Sequence, residues 1–187
     1  SIPFPLTLET LRVRDASFGM GDGSVESPAI TMDDINVISR FSLSGGLSQL
    51  EGEGSVAIGD IGFDSGDKGL RLSAVTAILD YKLHGDIESG DFTMTDGVLR
   101  VNGLPVSMSA ELGAWTAVAC RLTADGLDAA DILDAIPDGL VPEKERLTAL
   151  GTISFAVDAS MDTAADVPEP AFNGTVDADI SALKYEG

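Results

Sequence analysis

Hydrophobic and polar positions alternate with a period of two along most of this chain, the pattern of strands with one dry and one wet face. Ile153, Phe155, Val157, Ala159 and Met161 fall on one side of such a segment, with Thr152, Ser154, Asp158 and Ser160 on the other. Phe172, Val176, Ala178 and Ile180 alternate with Asn173, Thr175, Asp177 and Asp179. Val106, Met108, Ala110 and Leu112 do so with Ser107, Ser109 and Glu111. Antiparallel sheets with one solvated face have this pattern.

Other segments keep the alternation but slip phase once, as a β-bulge makes a strand do. Leu6 and Leu8 are followed by Leu11 and Val13, Ile30 and Met32 by Ile35 and Val37, and Val56 and Ile58 by Ile61 and Phe63. A long apolar-rich run covers Leu70 to Leu83, and Phe92 to Val101 follows with Asp96-Gly97 at a kink. Turn signals stand at Gly21-Asp22-Gly23, Ser44-Gly45-Gly46, Asp64-Ser65-Gly66-Asp67, Ser89-Gly90-Asp91 and Asn102-Gly103. The pattern predicts about eight to ten strands joined by short loops, a meander. Eleven residues from Gly151 to Met161 would extend roughly 36 Å, about twice the usual strand.

One segment breaks the pattern. Leu127, Ala130, Ile132, Leu133 and Ile136 are spaced for a helix, with Asp128 as N-cap and Pro137 and Gly139 ending the run. The spacing predicts one short helix around residues 127–136. Its Asp125, Asp128, Asp131, Asp134 and Asp138 read as a solvated acidic face, because they lack the loop geometry of a calcium cage.

Composition narrows the chemistry. Among 187 residues, 44% are hydrophobic, enough for an ordered fold. Asp and Glu number 31 against 11 Lys and Arg, a net charge of −20, which excludes a nucleic-acid binder and opposes adhesion to anionic membrane surfaces. Cys120 stands alone and cannot close an internal disulfide; it reads as a buried small hydrophobe. His84, also alone, reads as a surface residue at a strand end, so no zinc constellation arises. No Gly-x-Ser-x-Gly elbow presents a nucleophile. The expectation is a non-enzyme with no catalytic residue, cofactor or metal. Trp115 reads as cover for a sheet end, and Asn173-Gly174-Thr175 as a chance sequon inside a strand.

No stretch approaches the roughly 20 apolar residues of a membrane span, and the first residues lack the features of a signal peptide. Both ends read as cuts through a longer polypeptide. Apolar-Gly entries into strands recur at Leu50-Glu51-Gly52, Leu150-Gly151-Thr152 and Phe172-Asn173-Gly174, which suggests accretion of similar strands.

This arrangement resembles the AsmA-like family of bacterial envelope proteins, including its TamB-type relatives. Leu6 to Ser17, with Arg14-Asp15-Ala16-Ser17 at its end, looks like the family's recurrent opening strand, and Ile30 to Val37 like the strand after it. Leu122 to Leu140 looks like the insert in which a short helix follows a strand, with Ile132 in place of the first leucine of the closing pair. Leu150-Gly151-Thr152-Ile153-Ser154-Phe155 looks like the strand that resumes the sheet.

The resemblance implies a mainly β fold: an elongated, curved antiparallel sheet, groove-like or taco-like, with one short helix. Residues 1–187 would form a single β-rich domain, a fragment of a longer periplasmic protein anchored to the inner membrane by a segment outside this chain. It implies a non-enzymatic role in outer-membrane biogenesis through transport of phospholipid or another acyl-chain lipid along an apolar groove. The groove candidates are Ile153, Phe155, Val157, Met161, Val176 and Ile180. The same dry face would equally serve as the closed core of a β-sandwich, a binding or adhesion module of a surface protein. An enzyme whose site joins residues distant in sequence is the third reading.

Overall fold

The computed structural model describes residues 6–21, 29–44, 48–66, 71–137, 140–141, 143–164 and 170–185. Nine strands form one sheet: β1 (Leu6–Met20), β2 (Ala29–Ser44), β3 (Gln49–Asp64), β4 (Arg71–Asp86), β5 (Asp91–Val101), β6 (Leu104–Gly113), β7 (Ala117–Asp128), β8 (Leu147–Asp162) and β9 (Ala171–Tyr185). Their order in the sheet is their order in the chain, and every neighbouring pair is antiparallel. The architecture is thus a mainly β open meander, as the alternation requires. The described residues build no second sheet against it, so a closed sandwich is not what they form. Strands of 15 or 16 residues, such as β1 to β4, are nearly three times the usual length and reach roughly 50 Å.

Directly opposed residues in antiparallel strands share a face, so the register sorts the side chains. One row runs Val13, Val37, Val56, Leu79, Leu99, Val106 from β1 to β6. Two residues along, a second runs Ala16, Ile35, Ile58, Ala77, Val101, Leu104. A third runs Leu8, Phe41, Gly52, Leu83, Met94, Ala110, Cys120, Ala159, Phe172 through all nine strands. One face is therefore apolar from edge to edge. The other carries rows such as Ser42, Glu51, His84, Thr93, Glu111, Ala119, Ser160.

The phase slips in the sequence keep that sorting intact. Asp15, Asp34 and Ala74 have φ of 51°, 55° and 57°, and they lie at one level across β1, β2 and β4. On β3 the register to β4 shifts between Ile58 and Ile61 at the same level. Each strand there takes three steps between apolar residues rather than two. A left-handed residue other than glycine costs roughly 1–2 kcal/mol, and side chains satisfy backbone donors freed at the kink. Asp60 Oδ1 accepts from the Ala74 N–H at 2.9 Å, and Asn36 Oδ1 accepts from the Asp15 N–H at 3.4 Å. The expected kink in β5 is also present, as a register shift between Met94 and Gly97. At the β5–β6 turn, Asn102 (φ 48°) and Gly103 (φ 88°) close a two-residue hairpin whose paired positive φ values match the strand twist.

The expected helix, α1 (Ala129–Ala135), sits between β7 and β8. Asp128 is its N-cap and accepts from the Ala130 N–H at 2.8 Å. At the other end, Lys144 Nζ donates to the Ile136 carbonyl and Asn102 Nδ2 to the Ala135 carbonyl. Asp138 and Gly139 lie outside the described residues. The helix packs on β8, with lesser contact to β7 and β6. Among the described apolar residues only Val106, Ala129 and Ala149 are buried, each on the helix or on a strand it touches. The helix is a cover for one end of the dry face.

Elsewhere the described residues place no cover on that face. The chain exposes 12055 Å², where a compact monomer of its mass exposes about 8,500 Å². Most side chains of the dry face on the inner strands are half-buried, held by one another rather than by an opposing layer, while Val118 and Met161 near the strand ends are exposed. On the two edge strands, Leu6, Leu8, Phe18 and Met20 of β1, and Phe172, Val176 and Leu183 of β9, are exposed.

Candidate functional site: the apolar face

All six groove candidates fall on the dry face. Ile153 opposes Leu127 and Ala178, Phe155 opposes Ala124 and Val176, and Val157 opposes Leu122 and Gly174. Met161 opposes Val118, and Ile180 opposes Gly151. None is buried: Ile153, Phe155 and Val157 are half-buried, while Met161, Val176 and Ile180 are exposed. These six residues are one flank of a wider surface. Its centre lies on β2 to β5, where Val37, Val56, Leu79 and Leu99 continue the Phe155 level. The alternation in those strands is interrupted by bulges and glycines, which hid their membership of the same face.

At the end of the face opposite α1, a row of Leu6, Leu43, Leu50, Gly85, Phe92, Leu112, Val118 and Met161 borders the turns. Trp115 stands in the β6–β7 turn, its ring 5.1 Å from that of Phe92, and its backbone N–H donates to the Gly90 carbonyl at 3.2 Å. A Cβ at Gly90 would lie 2.1 Å from the indole, so the β4–β5 turn needs glycine there for steric reasons as well as for its φ of 76°. Trp115 covers a sheet end, as its position in the sequence suggested.

One polar pair interrupts the dry face. Ser39, only 2% exposed, and Tyr81 share a hydrogen bond of 2.6 Å between their hydroxyls. Both oppose Gly54 of β3, one from each side. A Cβ on Gly54 would sit 2.6 Å from Ser39 Oγ and 2.5 Å from the Ile38 carbonyl oxygen. Gly54 therefore leaves the gap that lets the pair meet across an intervening strand. The Gly52-x-Gly54 spacing is the trace of this in the sequence. Cys120 also lies on the dry face; it is half-buried rather than fully buried, and desolvation pushes its thiol pKa up.

The ion pairs between described strands lie on the opposite face. Arg40 pairs with Glu53 at 3.2 Å and Arg121 with Asp158 at 3.1 Å, each directly across from its partner, and Arg100 reaches Asp80 at 2.6 Å. Hydrogen bonds from Arg100 and then Ser55 lower the Asp80 pKa. His84 lies there, exposed, two residues from the end of β4. An open trough of about 480 Å³ on this side is lined by Arg40, Glu51, Glu53, Lys82 and His84 among others. These are solvated side chains on an open sheet face, without the enclosure a reaction site uses to exclude water. Among the described residues, no group of His, Cys, Asp and Glu is arranged to hold a metal ion. No helix among them is long and apolar enough to cross a membrane.

Fold and site together define an open, single-layer antiparallel sheet with one aliphatic and one charged face. Comparison with protein-family models, with curated proteins and with solved structures finds no match to this chain.

Proposed function

We propose that the dry face holds the acyl chains of phospholipids, and that the chain acts without catalysis in moving lipid through a Gram-negative cell envelope during outer-membrane biogenesis. The observation that carries this reading is an apolar surface continuous across nine strands and covered, among the described residues, only at one end, by α1. Removing an acyl chain from a bilayer costs about 0.8 kcal/mol per methylene, on the order of 10 kcal/mol for a whole chain. Only a long continuous apolar surface offsets that, and strands of roughly 50 Å supply the length. The AsmA-like resemblance supports a periplasmic setting and an anchor in the inner membrane. The charge of −20 fits a carrier that releases from anionic bilayer surfaces rather than sticking to them.

The test is native mass spectrometry of the chain after incubation with phospholipid vesicles and gel filtration. Wild type is expected to retain lipid. A variant carrying Phe172→Asp and Val176→Asp should fold with an unchanged melting curve, because these side chains are 73% and 72% exposed, and should retain several-fold less. Wild type emerging free of lipid would overturn the proposal.

A further inference from the structure

Among the described residues, the Ser39–Tyr81 pair is the place on the dry face where two hydrogen-bonding side chains meet. Two hydroxyls carry two O–H donors, and their mutual bond uses one. Neither hydroxyl has a second partner among the described residues. Around them the register places Leu11, Val37, Phe41, Leu79 and Leu83, none of which can accept a proton. Ser39 is enclosed, whereas Tyr81 is half-buried, so the phenol is the member a ligand can reach. With Ser39 donating to Tyr81, the phenolic O–H is free to donate onward into an otherwise apolar surface. A spare donor in low-dielectric surroundings strongly favours an acceptor brought by a ligand.

Resting on the acyl-carrier reading above, we infer that the Tyr81 hydroxyl donates a hydrogen bond to the ester carbonyl of a bound lipid. The pair would then set both the cargo class, acyl esters over alkyl ethers or plain hydrocarbons, and the point where the chain-to-glycerol junction rests. Ser39 acts through Tyr81 as a positioning residue, and Gly54 keeps the space between them open. The closest rival role is a structural tie between β2 and β4, which would be indifferent to the chemistry of the ligand.

The experiment offers the protein vesicles containing equal amounts of a diacyl phospholipid and its dialkyl ether analogue, with the same headgroup and chain length. The ratio retained after gel filtration is read by mass spectrometry. Wild type should prefer the ester about fivefold, the worth of one neutral hydrogen bond. Tyr81→Phe keeps the ring and should bring the ratio to one while still binding both lipids. Ser39→Ala frees the Tyr81 ring and should lower the preference without abolishing it, because the phenolic donor remains. Were the pair only a structural tie, Tyr81→Phe would change total binding but not the ratio, so the two roles are separable. Equal retention of ester and ether by wild type, or an undiminished preference in Tyr81→Phe, overturns the inference and leaves the acyl-carrier reading standing. Retention of neither lipid overturns both.

Discussion

Ile78 and Leu79 are neighbours on β4 and lie on opposite faces of the same sheet. Ile78 sits across from Ala57 and Arg100, among groups that meet water, and is exposed. Leu79 sits between Val56 and Leu99, in a row of aliphatic side chains, and is half-buried. Isolated apolar residues on a polar face, such as Ile78 and Ile38, are ordinary. A whole face of them without an opposing layer is not, since soluble monomers rarely expose apolar patches beyond a few hundred Å². The same strands thus carry a surface suited to water and one that is satisfied only in part by its own neighbouring side chains and by α1.

The two faces should respond differently to the same change. Leu79→Asp places a carboxylate among half-buried aliphatic neighbours and should cost about 3 kcal/mol, whereas Ile78→Asp should stay within about 0.5 kcal/mol. Urea unfolding of the two variants measures the contrast, and equal losses would erase it. The next effect belongs to the Ser39–Tyr81 pair on the dry face. Gly54→Ala forces its Cβ against Ser39 and should cost about 2 kcal/mol, with Tyr81 ring resonances shifting in the NMR spectrum as the pair separates.

Smaller effects test the cover and the charged face. Asp128→Ala removes the N-cap of α1 and should cost about 1 kcal/mol, with faster amide exchange in the helix than in β3. Arg121→Ala removes an exposed ion pair and should change stability by less than about 0.5 kcal/mol. The Asp80 carboxyl, held low by Arg100, gains its stabilisation above the usual carboxylate range near 4 and loses it as pH falls through its own lower value. Arg100→Leu should return that carboxyl toward about 4, read by carbon NMR.

Much of this organisation is legible in the amino-acid order. The alternation of Ile153 to Met161, the cap and length of α1, and the Asn102-Gly103 hairpin follow from local rules that tertiary packing does not override. The slip after Leu8 is a register shift, and that between Ile58 and Ile61 is another. The slip in β2 has a different form: Asp34 turns left-handed while its pairing with β3 runs on unbroken. What the order of residues does not disclose is long-range. That Asp15, Asp34 and Ala74 line up at one level depends on register between strands, as does the meeting of Ser39 and Tyr81, 42 positions apart. Periodicity also cannot tell whether a dry face meets a second layer. Val157 reads identically in a closed core and on an open sheet, and only the arrangement of all nine strands separates the two.

On the proposed function, the open dry face takes an acyl chain. Paramagnetic broadening by a spin-labelled fatty acid tests it most directly. Methyl signals of Val56, Leu79 and Val157 should broaden as the probe is added, while those of Thr123 and Ile78 on the charged face should keep their widths. No broadening at any methyl, or equal broadening on both faces, would contradict the account.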